Sequence, residues 1–299
     1  MRRFFCSVLA FPHFLTLRNC RSLKSIFSGL NTMIYVFLSH DIDWGRKGPS
    51  IKHIMTRKNR FDEDDLKTDK LNDLYYNLPE YLEIEEKHDV KSTFFFRTYI
   101  SNPPYPPQSY DVSEYKPEIR ELTRNDWEIG LHMDPSSHAD LRLIQKEKEA
   151  LERVAQTKIV GNRVHYTMNN PVLHQNLIRT GFKYDSSTKF YRENIDRKDF
   201  GYFKCRELII FPMTIMDALA FAHLTLAEDD VVKLVKSTIE RCRSFPKKEK
   251  VITIVWHGCV LKMKKGRQYS NVLDYLTSQR DIEIKRGIDL VEMIEEGKL

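Results

Sequence analysis

Residues 33–39, MIYVFLS, form a continuous apolar run with no polar face. A strand of this kind has to be buried on both sides. That is the habit of parallel sheets covered by helices, not of antiparallel sheets with one wet face. Further strands are predicted at 92–98 (STFFFRT), 127–132 (WEIGLH), 158–166 (KIVGNRVHY), 182–188 (FKYDSST), 207–214 (ELIIFPMT) and 251–258 (VITIVWHG). Between them lie helical segments. LPEYLEIEEKHDV carries Pro79 in its first turn, and residues 139–156 place Leu141, Ile144, Leu151 and Val154 at helical spacing. PVLHQNLIRTG is closed by Gly181, and DDVVKLVKSTIERCRSF and GIDLVEMIEE follow. Strand–helix alternation on this scale predicts an α/β fold with a parallel sheet closing into a barrel.

The strands end in residues that can bind a metal or move a proton: Asp41 and Asp43, His132, Arg163 and His165, Asp185, and His257. At the carboxyl ends of parallel strands such residues gather at one mouth of a barrel, where this architecture keeps its active sites. Asp41 and Asp43 are two apart on an extended segment, so they share a face. One can bind a cation while the other takes a proton from its water. His40 sits beside them in the stretch FLSHDIDWG.

Charge excludes one class of function. The formal charge is +6, but residues 1–32 hold Arg2, Arg3, Arg18, Arg21 and Lys24 and no acid. The remaining 43 basic and 42 acidic residues nearly cancel, so no nucleic-acid partner is expected. No apolar run reaches the roughly 18 residues of a spanning helix, so no integral membrane segment is expected. The leader is read as a misassigned start or a targeting segment, with residues 33–299 as a single catalytic domain. The charged stretch around 46–75 is read as a solvated insertion within that domain. Five cysteines, odd in number and without C-x-x-C spacing, predict reduced thiols.

The order of these motifs resembles the polysaccharide deacetylase superfamily, also called the NodB-homology domain or carbohydrate esterase family 4. FLSHDIDWG resembles its aspartate pair, KSTFFF the strand that follows, and EIGLH the strand leading to the metal histidines. GNRVHY resembles the arginine motif, GFKYDSS the glycine–aromatic–aspartate segment, and IVWHG the last strand with its histidine. The resemblance covers about residues 33–299. It implies a distorted (β/α)7 barrel and one divalent metal ion, zinc or another first-row transition metal. It also implies hydrolysis of the N-acetyl group of an amino sugar in a glycan or glycoconjugate. By the same resemblance Asp41 is the general base and Asp43 a metal ligand, with the reverse division open.

His132 is the second ligand that the resemblance implies. The family places another histidine four residues later, but here that position is Ser136, so His138 is the expected third ligand, with His165 or a water as competitors. His257 is expected as the general acid, supported by the carboxylate of Asp185 or Asp217. Arg163 is expected to orient the catalytic aspartate through a bidentate contact. His165, Tyr166 and Trp256 are candidates for lining the sugar site. Two alternatives keep the fold: an amidohydrolase acting on a small C–N substrate outside carbohydrates, and a non-catalytic carbohydrate-binding protein with a decayed site. A cytoplasmic location is expected over an exported one.

Overall fold

The computed structural model describes residues 33–98, 110–190, 194–219, 221, 224, 226–245 and 250–299. The basic leader, residues 1–32, lies outside the described residues. The rest forms one curled sheet flanked by helices. In chain order its strands are β1 (Ile34–Ile42), β2 (Thr93–Phe96), β3 (Glu128–Met133), β4 (Gly161–Val164), β5 (Tyr184–Asp185), β6 (Phe203–Cys205), β7 (Leu208–Ile210), β8 (Ile215–Met216), β9 (Lys250–His257) and β10 (Ile282–Lys285). The helices are α1 (Ile51–Met55), α2 (Leu78–Lys87), α3 (Lys116–Arg124), α4 (Leu141–Ala155), α5 (Pro171–Arg179), α6 (Asp230–Arg243), α7 (Tyr269–Thr277) and α8 (Gly287–Glu295).

The path through the sheet is β6-β7-β5-β4-β3-β2-β1-β9-β8, and every pairing is parallel except β6 with β7. This is the expected α/β barrel type, and all seven strands read from the sequence are present. β1 is its centre. Along one edge it pairs with β9 over eight residues. Along the other it pairs first with β10, through Ile34–Phe37, and then with β2, through Ser39–Ile42. The short strands β6, β8 and β10 and the helices α3 and α7 were not anticipated. The 46–75 stretch has structure of its own, α1 followed by short 3-10 turns.

Strand parity divides the residues into two layers. On β1 the even positions Ile34, Val36 and Leu38 point outward and join the large core beneath the helices. The odd position Phe37 points inward, into a second core with Phe95, Tyr184, Phe211 and Val251. The floor of the barrel is tightly filled. A Cβ on Gly130 would meet the Phe95 ring at 2.4 Å, and one on Gly161 would meet the Tyr184 hydroxyl at 2.1 Å. Two inward glycines thus make room for two large rings. Above that apolar floor the inward positions of β1 become Ser39, then Asp41, and just past the strand Asp43.

Candidate active site

The sheet register brings the inward residues together. Asp41 lies opposite His257 across the β1–β9 pair, and His132 lies opposite Arg163 across β3–β4. His165 is two residues beyond Arg163, past the end of β4. The turn that seats it holds Tyr166 and Thr167 at φ 67° and 65°, a left-handed conformation that is uncommon for such side chains. These residues line a cavity of about 260 Å³ at the barrel mouth, together with Tyr166, Lys189, Met213 and Met216.

Asp43, His132 and His165 are buried and converge on one point. His132 Nε2 is 3.1 Å from Asp43 Oδ1 and 3.1 Å from His165 Nδ1, and His165 Nδ1 is 3.2 Å from Asp43 Oδ1. Ligand atoms held about 2.0–2.1 Å from a tetrahedral cation lie roughly 3.3 Å from one another, so the triangle has the size of one face of such a site. The proton inventory agrees. His132 Nδ1 lies 3.0 Å from the carbonyl of Arg163 and donates to it, which leaves Nε2 as the ring atom turned to the carboxylate. Burial favours the neutral form of His165 and outweighs the pull of Asp43, holding its ring below the ordinary histidine range. Burial opposes the charge on Asp43, but His165 and His132 outweigh it and keep the carboxyl well below the usual range. Two imidazoles and a carboxylate packed this closely fit a single divalent ion.

The expected third ligand, His138, does not join this group. Its Nδ1 is 2.8 Å from the carbonyl of Pro135, at the end of the short turn Pro135–Ser137. His165, one of the two competitors, stands in its place because it shares the inward parity of Arg163.

Two flanking pairs complete the mouth. On one side Arg163 Nη1 donates to Asp41 Oδ1 at 2.7 Å. Its other donors go to Ser39 Oγ, Ser186 Oγ and the Ser186 carbonyl, so it meets the carboxylate with one bond and not the expected bidentate pair. The guanidinium also lies over the Phe95 ring, 4.3 Å from its centroid. Burial pushes the Asp41 carboxyl up, but Arg163, then His132 and His257, hold it below its ordinary value.

On the other side Asp217, just after β8, holds His257 twice. Its Oδ2 accepts from the His257 main-chain N–H at 2.7 Å, and its Oδ1 is 2.6 Å from Nδ1. Burial favours the neutral ring, but Asp217, then Asp43 and Asp41, push it up to about 10. His257 Nε2 faces inward, 3.8 Å from Asp43 Oδ2.

Besides His138, two sequence candidates fall outside the mouth, and parity explains both. Asp185 is the outward residue of β5. It accepts from Ser187 Oγ and Asn162 Nδ2 at 2.5 and 2.7 Å and lies 4.0 Å from His174, so it braces loops and does not serve His257. Trp256 is the outward residue next to His257. It is buried in the core, where its Nε1 donates to the Gly266 carbonyl. Asp217 was one of two alternatives in the sequence, since β8 is too short to announce itself.

No family model and no curated protein matches the sequence. Solved structures do match its fold. A protein described as a polysaccharide deacetylase from Mycobacterium smegmatis superposes with a TM-score of 0.64 at 18% identity, over 90% of this chain and 92% of that one. A second so described, from Pseudomonas aeruginosa PAO1, gives 0.60 at 13% identity over 89% and 92%. Puue allantoinase gives 0.62 at 13% identity over 95% and 97%. The chain therefore has the fold of the polysaccharide deacetylases, as its motif order implied.

Proposed function

We propose that this protein is a metal-dependent deacetylase that hydrolyses the N-acetyl group of an amino sugar in a glycan or glycoconjugate. The observation that carries the reading is the arrangement around the Asp43–His132–His165 triangle. A carboxylate locked by an arginine stands on one side, and a histidine locked by a carboxylate on the other. Amide hydrolysis needs both, because the attacking water loses a proton and the leaving nitrogen gains one.

Asp43, His132 and His165 would hold the ion, zinc or another first-row metal. Bound there, it would supply a Lewis acid that polarises the acetyl carbonyl and acidifies a water. Asp41 is the general base. Its Oδ1 is engaged by Arg163, and its Oδ2, 4.0 Å from His132 Nε2, faces the cavity and takes the proton of the attacking water. His257 is the general acid. Asp217 fixes its Nδ1 proton and keeps the ring charged, so Nε2–H points inward to donate to the departing amine. Tyr166, nearly half exposed at the rim, is placed to line the sugar site.

A carbohydrate-binding protein without catalysis would need neither the locked base nor the locked acid. A second enzyme reading, a small non-sugar amide, draws on the modest cavity and on the allantoinase likeness. The test is acetate release from N-acetylated oligosaccharides by protein stripped of metal and reloaded with zinc, cobalt or manganese, beside a panel of small cyclic and linear amides. Metal-dependent acetate release supports the proposal. Turnover confined to the small amides moves the reading to the second enzyme class. Tight metal uptake with no turnover on any substrate would sink both enzyme readings.

A further inference from the structure

The 46–75 stretch was read from its charge as a solvated insertion. In the structure part of it forms a wall of a second cavity, about 380 Å³, which shares Asp43, Tyr166 and His257 with the first. That wall presents His53, Arg57, Arg60 and Tyr75. Arg57 Nη1 donates to His53 Nδ1 and to Thr56 Oγ1, at 3.2 and 3.3 Å. Among the described residues, neither Arg57 nor Arg60 has a carboxylate within ion-pair distance. Other arginines nearby do, for example Arg46 with Glu118 and Arg267 with Glu228. The acids that reach this cavity, Asp43 and Asp217, are at its deep end and already engaged by His132, His165 and His257.

Tyr75 adds an independent sign. It is 4% exposed, it lines the cavity, and its hydroxyl has no hydrogen-bond partner. Buried hydroxyls are ordinarily satisfied, so an orphaned one within the cavity wall leaves that wall with an unspent donor. Burial pushes this phenol up to about 12, so it remains a donor across the working pH range. Burial, then the charges of Arg57 and Arg60, hold His53 below its ordinary range. The basic wall continues outward past Arg60 to Lys264 and Lys265.

We propose that Arg57 and Arg60, on the wall that Tyr75 backs, form an anion subsite beside the metal centre, which takes a carboxylate or phosphate group carried by the substrate. On the deacetylase reading, on which the word substrate rests, this selects an acidic N-acetylated sugar over a neutral one. Two guanidiniums offer charged donors to an oxyanion, and such bonds are the strong ones.

The test is calorimetric titration of the zinc-loaded protein with three sugars: an N-acetylhexosamine, the corresponding N-acetylated uronic acid, and the N-acetylhexosamine 6-phosphate. Inorganic phosphate serves as competitor. The expected result is that at least one acidic sugar binds about 10-fold or more tightly than the neutral one. The preferred sugar tells carboxylate from phosphate. The double variant Arg57→Gln, Arg60→Gln should erase the difference and the phosphate competition, leaving zinc content and neutral-sugar affinity unchanged. Equal affinity for all three sugars in the wild type would overturn the subsite, as would a preference that survives the double variant. Should the double variant misfold, each single variant is titrated against the same criteria. Because only binding is read, a protein that holds phosphate through these arginines but releases no acetate would fail the deacetylase reading and keep the subsite.

Discussion

Asp41 and His40 are neighbours in sequence and belong to opposite worlds. His40 points outward, beneath α2 and α7, into a polar cluster that is fully satisfied. Its Nδ1 meets the Trp256 carbonyl at 3.0 Å and its Nε2 meets Glu85 Oε1 at 2.7 Å. Glu85 also accepts from Ser92 Oγ, Trp127 Nε1 and Tyr269 OH, at 2.8, 2.6 and 2.6 Å. Asp41 and Asp43 point inward, to a cluster that is no more polar but is incomplete. Three atoms of metal-ligand type crowd together there, and His165 Nε2 is buried without a partner. Both clusters pair histidine with carboxylate at full burial. They differ in spare capacity. The outer one has spent every donor and acceptor on the protein, so it can only hold the fold together. The inner one has capacity left to bind something.

The sharpest way to break this contrast is to remove Asp43. Asp43→Ala should weaken metal binding by more than about 100-fold, beyond what loss of an outer partner costs, and abolish turnover. The thermal midpoint of the metal-free protein should hold or rise, because the mutation relieves a crowded, uncompensated site. Metal analysis and calorimetry on the same sample check both halves. His138→Ala is the control and should retain the metal fully; loss of metal in that variant would return His138 to the ligand set.

Next in size is His257→Ala, expected to lower kcat by roughly 10²–10⁴-fold with metal and substrate binding intact. The loss should shrink for an ester analogue with a good leaving group, which departs without a proton. An equal loss on amide and ester would move His257 from general acid to oxyanion stabiliser.

The outer cluster should respond in the opposite currency. Glu85→Ala strands His40, Trp127, Ser92 and Tyr269 in the core and should cost about 3–5 kcal/mol of stability, as loss of one partner from a buried pair does. Metal affinity measured in the still-folded fraction should not change. A drop in metal affinity comparable to that of Asp43→Ala would show that the two faces of β1 are not independent.

The smallest effect concerns a buried carboxyl of α4. Burial outweighs the hydrogen bonds from Ser137 and the Asp134 main chain and pushes Glu147 up to about 8. The unfolded chain releases this proton near pH 4.5 and the folded chain only near 8. The folded state thus binds more protons between those values, and stability falls as pH rises through that window. Glu147→Gln should match the wild type near pH 4.5 and exceed it by on the order of a few kcal/mol above pH 8. Denaturant midpoints measured across that range give the answer, and parallel wild-type and variant curves would refute it.

The sequence by itself determined the layer architecture, because a doubly buried strand such as MIYVFLS is stable only between layers of helix. It also showed where chemistry would collect, since polar residues after such strands have nowhere to go but the sheet edge. Two inward residues, Asp41 and Asp43, were legible as a pair from their spacing alone. Parity carried further than was drawn from it: His165, two residues past Arg163, shares its face, whereas Asp185 and Trp256 do not face the mouth. That could not be read strand by strand, because a strand apolar on both faces does not announce which face is inward. The partner of His257 was hidden for another reason. Asp217 follows a two-residue strand whose position is fixed only by its pairing with β9. The 46–75 stretch shows the limit most plainly. Its charges read as solvated, and only tertiary packing, with Tyr75 buried and Arg57 and Arg60 turned to a cavity, decided that part of it faces the active site. Local spacing fixes which residues share a face, whereas which face becomes the inside depends on contacts between segments far apart in the chain.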